Sequence, residues 1–207
     1  VQHYHSHARE SNMTHTRHRL RSILAVVCCL TLLQPLPVFA DSAVKTSVDA
    51  TSVSAGASWV TPASVQGDDG AYADFTATTQ EFLTIKTFGF SIPVGSVFDG
   101  IQGVVNGYGT GGTAARRRFR CALTKDGSTI AGTEKTALTF TTSDSDFTNG
   151  SSSDLWGTTW SRGEIINANF GVLIRDNDTT AHLLRFDHVT VTVYYTPPSQ
   201  VTMTKTD

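Results

Sequence analysis

Arginine crowds into one short stretch, Arg116-Arg117-Arg118 with Arg120, directly after the glycine-rich run from Gly107 to Gly112 (GYGTGG). Glycines let a backbone approach an anion, and guanidinium groups neutralise it. A phosphate-cradling loop normally feeds a helix, whereas the residues after this one alternate as a strand. The pattern therefore also fits a solvated strand face beside a flexible hairpin loop. Aspartates recur in pairs, Asp68-Asp69, Asp144 with Asp146, and Asp176 with Asp178. Alternating carboxylates in a loop can bring two hard oxygens to one calcium ion, and Asp176-Asn177-Asp178 is the first place to look for a structural one. No segment has EF-hand spacing, and Asp and Asn are also ordinary turn formers. No other cofactor is implied. Trp59, Trp156 and Trp160 sit among Gly and Ser (GASW, GSSSDLWGTTW) and, with Tyr108, are the candidate ligand-binding aromatics. An exposed indole offers a flat face to a sugar ring; the competing and preferred reading makes the tryptophans plugs that close a small core.

Catalytic patterns are thin. Outside the first forty residues the histidines are His182 and His188, with no G-x-S-x-G and no Cys–His pairing beside them. Glu81 with Glu164 is one carboxylate pair that a glycosidase would need at a fixed separation, but nothing in the sequence selects it. Structural or solvent-facing roles are expected for these groups, and the chain is read as non-catalytic. Asn149-Gly150-Ser151 and Asn177-Asp178-Thr179 are acceptor sequons if the host glycosylates.

The elements that must position these residues follow from the composition of residues 41–207. There, 28 Thr, 16 Ser and 17 Gly outnumber the charged residues, which favours strands and turns over helices. The same stretch carries 12 Lys plus Arg against 17 Asp plus Glu, a net charge near −5 that disfavours nucleic acid as a partner. Ahead of it, Met13, Arg17, Arg19 and Arg21 precede the apolar run Ile23 to Leu33, and Val38-Phe39-Ala40 leads into Asp41. That order is a secretory signal peptide over 13–40. The eleven residues of this run, apolar but for Thr31, span about 17 Å as a helix against roughly 30 Å of hydrocarbon, so a retained anchor is not expected. The mature chain is accordingly read as secreted, extracellular or at the cell surface, with the periplasm open. Residues 1–12, with alternating His3, His5 and His7, are read as an upstream extension outside the folded protein. If Cys28 and Cys29 leave with the leader, Cys121 has no partner; alternating with Phe119 and Leu123, it is expected as a small buried hydrophobe.

Period-two segments broken by Gly, Asp, Asn and Ser then predict strands over 71–78, 82–92, 98–108, 116–125, 129–134, 137–142, 168–175 and 183–196. Residues 41–56 read as a lead-in or an edge strand, 57–196 as the domain, and 197–207 as a tail or the start of a linker. Eight strands without an apolar 3.6 period indicate an all-β, two-sheet antiparallel sandwich, jelly-roll-like. Val189, Val191, Val193 and Tyr195 share one face, while Leu184 and Phe186 fall on the opposite parity. A bulge or face switch is therefore predicted near Asp187-His188.

Three pieces of sequence carry a resemblance. They are Trp59-Val60-Thr61-Pro62 with Asp68 to Ala73; Phe88 to Pro93 with Gly100-Ile101; and Ser153 to Gly157 with Asn169-Phe170-Gly171 and Val191 to Thr196. Together they resemble a β-sandwich module that recurs in uncharacterised bacterial secreted proteins and phage structural proteins. The resemblance implies a fold and a structural or surface-interaction role, with no catalytic residues to carry over, and a GSSSDLWG loop that fixes Trp156 between the sheets. The rivals are a glycan-binding module and a secreted glycan-active enzyme. Expected partners are a glycan or cell-surface polymer, or other protein subunits; no membrane is expected after signal cleavage.

Overall fold

A computed structural model of the chain describes residues 40–76, 78–180 and 182–199. The predicted leader, the upstream extension with its histidines, Cys28, Cys29 and residues 200–207 lie outside them. Among the described residues no helix is long and apolar enough to cross a membrane.

Eleven antiparallel strands form two sheets. The six-stranded sheet runs β3 (Trp59–Val60), β4 (Ala73–Phe75), β11 (Leu183–Thr196), β6 (Val97–Thr110), β9 (Ser145–Gly150), and β1 (Asp41–Thr46) joins β11 on the same flank as β4. The five-stranded sheet runs β2 (Ser52–Ala55), β5 (Leu83–Lys86), β10 (Gly171–Asp176), β7 (Arg118–Thr124), β8 (Leu138–Thr139). Among the described residues a 3-10 turn (Pro62–Gln66) and one short helix, α1 (Arg162–Ile165), accompany the strands. Helix α1 starts because Ser161 and Glu164 exchange side-chain and backbone hydrogen bonds as a capping box.

The core lies between the sheets, where alternation puts it. Phe119, Cys121 and Leu123 of β7 face Val189, Val191 and Val193 of β11 within one buried cluster that also takes Ile101, Val105, Val172, Ile174 and Phe186. Burial pushes the Cys121 thiol up to about 12, which leaves it an inert packing group. The predicted bulge is present: the register of β11 against β6 slips between Phe186 and Val189.

The two-sheet antiparallel sandwich is as predicted, its eleven strands among the described residues close to the eight or so expected. Several finer expectations need correction. The segment 41–56 contributes β1 and β2, one to each sheet, so the edge-strand reading replaces the lead-in. No strand forms over 129–134. Asp126 collects Ser128 and Thr129 backbone N–H groups into a tight turn, and only isolated bonds from Ala131 and Lys135 reach the β7 carbonyls. The 82–92 strand ends at Lys86, because Thr87 and Gly89 both take φ of +67°. Phe88, Phe90 and Ile92 beyond it stay buried without a ladder.

Candidate functional site

Because side chains alternate along β11, β6, β4 and β9, whatever does not face the core of the six-stranded sheet faces outward. On that outer face Tyr108 of β6 stands opposite Arg185 of β11, and Arg185 stands opposite Asp74 of β4. The Tyr108 hydroxyl accepts from Arg185 Nη1 at 2.6 Å, and Arg185 Nε lies 3.4 Å from Asp74 Oδ1. Tyr72, just before β4, meets Tyr108 edge-on with ring centroids 5.2 Å apart. The Arg185 guanidinium lies 5.5 Å from the Tyr108 ring centre and 5.9 Å from that of Tyr72. Two aromatic rings with a cation between them form one half-exposed group.

Asp144 and Asp146 belong to this face. Asp144 accepts from the Tyr72 hydroxyl at 3.0 Å, and Asp146 accepts from Asn106 Nδ2 at 2.8 Å. Desolvation and the bond to Asp144 push the Tyr72 phenol up to about 12. Desolvation raises the Asp74 carboxyl, with Arg185 pulling against it. Gln102, Val104 and Thr190 continue the face along β6 and β11. The arrangement offers ring surface next to several fixed donors and acceptors, the equipment for binding a hydroxyl-rich ligand.

The three tryptophans cannot serve that purpose, and they leave the candidate binding set. Trp59 is 6% exposed, Trp156 0% and Trp160 8%. Trp59 packs on Phe75 and Phe186, and Trp160 on Phe170. Trp156 takes φ +60° between the sheets, and its Nε1 donates to Ile101 O at 2.8 Å. A β-carbon at Gly150 would come within 2.8 Å of that nitrogen, so the glycine makes room for the ring. The GSSSDLWG loop thus fixes Trp156 as a plug, as the resemblance implied.

The arginine cluster does not gather into an anion site. Arg116 lies exposed in the loop before β7, and Arg118 donates to Ala137 O at 3.4 Å on the five-stranded sheet. Arg120 binds Glu134 at 3.3 Å and also donates to Asn177. Asp176 is fully buried beside His182, and its Oδ1 accepts the Asp178 N–H; Asp178 in turn caps Thr179 and Thr180. Burial pushes the Asp176 carboxyl up. His182 Nδ1 pairs with Thr180 O. Glu81 accepts the Ser58 N–H, while Glu164 closes the α1 capping box and binds Lys125, so each carboxylate has structural work. Asn149 is buried, which removes it as a glycosylation acceptor.

Sequence reasoning found Tyr108 and missed Tyr72, Asp74 and Arg185. Arg185 shares β11 with the outward threonines, so carrying that strand's parity back through the bulge would have placed it outward. Among the described residues, the group of three potential metal ligands is Asp68, Asp187 and His188, whose ligand atoms lie within 4.8 Å of one another. Asp68 had been singled out for another pairing and His188 for none.

No protein-family model matches the chain, and no curated protein matches it. Solved structures do match. One is the N-terminal cellulose-binding domain of β-1,4-glucanase C from Cellulomonas fimi, 12% identical with a TM-score of 0.32, the match covering 77% of this chain and 97% of that one. A likeness that loose carries no argument about this chain's ligand.

Proposed function

We propose that the chain is an exported, non-catalytic β-sandwich module that binds a neutral glycan on the outer face of its six-stranded sheet. The observation that carries this reading is the half-exposed group in which Arg185 lies between Tyr72 and Tyr108. Sugar rings pack their C–H faces on tyrosine, while hydroxyls pair with fixed guanidinium, carboxylate and amide groups. Asp74, Asp144 and Asp146 share this face with one arginine, so the local charge is negative and disfavours acidic sugars. The commitment of Glu81 and Glu164 to backbone groups supports the non-catalytic part of the reading, and the leader pattern supports export.

A glycan array followed by calorimetry tests it. Binding of neutral oligosaccharides should fall at least tenfold in Tyr108→Ala while the melting temperature holds within a few degrees. An array without response, or equal binding by the variant, would sink the assignment.

A second reading, assembly with further subunits, is favoured by Val44 and Val60. Both are more than half exposed on β1 and β3 of the same sheet. Sedimentation at high concentration decides it, since a strictly monomeric species argues against self-assembly.

A further inference from the structure

We infer that Asp68, Asp187 and His188 form a binding site for a first-row divalent cation of the zinc class, independent of the glycan reading. The bulge builds it. Phe186 pairs with Gly107 and Val189 with Val105, so two residues of β11, Asp187 and His188, stand opposite the single residue Asn106. Phe186 and Val189 are both fully buried in the core, which leaves Asp187 and His188 side by side outside it. The loop after the 3-10 turn then brings Asp68 over the pair: His188 Nδ1 lies 3.6 Å from Asp68 Oδ1 and 3.9 Å from Asp187 Oδ2.

Two features separate this group from an ordinary surface cluster. Asp187 is 3% exposed, yet its Oδ1 has no hydrogen-bond partner, and the buried Nδ1 of His188 has none either. A buried carboxylate oxygen and a buried ring nitrogen left unpaired are costly. Neither separation from Nδ1 is short enough for a hydrogen bond, so a protonated His188 does not satisfy its neighbours. One cation would satisfy all three. With bonds of about 2.0 to 2.2 Å its ligand atoms would sit about 3.4 Å apart, so the exposed Asp68 need move only a few tenths of an ångström toward Nδ1, while the Asp187 and His188 side chains, 3.9 Å apart, must close by about half an ångström. Asp144 adds negative potential nearby. Two carboxylates and an imidazole suit zinc and its neighbours; calcium prefers an all-oxygen shell.

The test is zinc chloride titrated into the full-length chain carrying His3→Ala, His5→Ala, His7→Ala, His15→Ala and His18→Ala, which removes the histidines of residues 1–40. Calorimetry should report one equivalent, with affinity falling at least tenfold in both Asp68→Asn and His188→Gln. Asp68 is 77% exposed at its side chain, so its variant keeps the fold if His188→Gln does not. Zinc should also raise the melting temperature of the parent and leave that of Asp68→Asn unmoved. Absence of the single equivalent, affinity unchanged in Asp68→Asn, or calcium binding more tightly than zinc would each overturn the inference.

Discussion

Two arginines of similar surroundings, Arg175 and Arg185, are used in opposite ways by the two outer faces of the sandwich. On the five-stranded sheet Arg175 stands opposite Arg120, and Glu134 lies between them. Arg175 Nε and Nη2 each reach a Glu134 oxygen at 2.6 Å, a bidentate pair, and Arg120 adds a third contact at 3.3 Å. With Glu134 only 12% exposed at its side chain, that face spends its charge internally. Arg185 meets its carboxylate at 3.4 Å through one nitrogen and spends the rest of its guanidinium on a phenol oxygen and two ring faces. The Arg175 fork engages both Glu134 oxygens and its remaining nitrogen donates to Gln80, whereas the ring-stacked Arg185 keeps N–H groups for something else. One face is closed by its own chemistry, the other is equipped to receive a ligand.

The comparison breaks most visibly at Glu134. Replacing it by Ala leaves two guanidinium groups across adjacent strands with no counter-charge, and we expect a loss of about 2 kcal/mol, below the 3 to 5 of a fully buried pair because Arg120 is a third exposed. Chemical denaturation measures it; a change under 0.5 kcal/mol would mean that the five-stranded face is not held by this network. Arg185→Ala should cost less, about 1 kcal/mol, since its contacts are half-exposed, while abolishing ligand binding. Equal stability losses at the two sites would erase the distinction between the faces.

The smallest effect is a pH dependence. Tyr72 is pushed up to about 12 from an ordinary value of 10, so the folded state holds its proton more tightly than the unfolded chain does. The stabilisation is therefore complete below pH 10 and is lost as pH rises through 12. Burial and Asp41 also hold the Tyr195 phenol above its ordinary value, so absorbance titration of phenolate should show late-titrating groups of which one vanishes in Tyr72→Phe, and that variant should lose less stability between pH 10 and 12. An unchanged titration curve would separate Tyr72 from the group around Arg185.

Legibility in the sequence followed the locality of the physics. β11 was readable to its end residues because valine and threonine alternate over the five positions from Val189 to Val193, and the parity break at Asp187 announced the bulge. β9 was not, because Ser145–Gly150 is rich in turn formers and becomes a strand only through pairing with β6. The plug reading of the tryptophans was preferred only because a small sandwich closes its core with large rings, since their glycine and serine neighbours give no inward or outward parity. Tyr72 and Tyr108 lie 36 positions apart and meet only through β4, β11 and β6, a register that no local pattern encodes. The same limit hid the metal group: the bulge was foreseen, but what it aligned with Asp68 was not.

The contrast between the faces is tested most directly by following amide and side-chain resonances of the labelled protein while a neutral oligosaccharide selected on the array is added. The account predicts shifts concentrated at Tyr72, Asn106, Tyr108 and Arg185, with Arg120, Glu134 and Arg175 unmoved. Shifts centred on the Glu134 network, or saturating ligand with no shift at Tyr108, would contradict it.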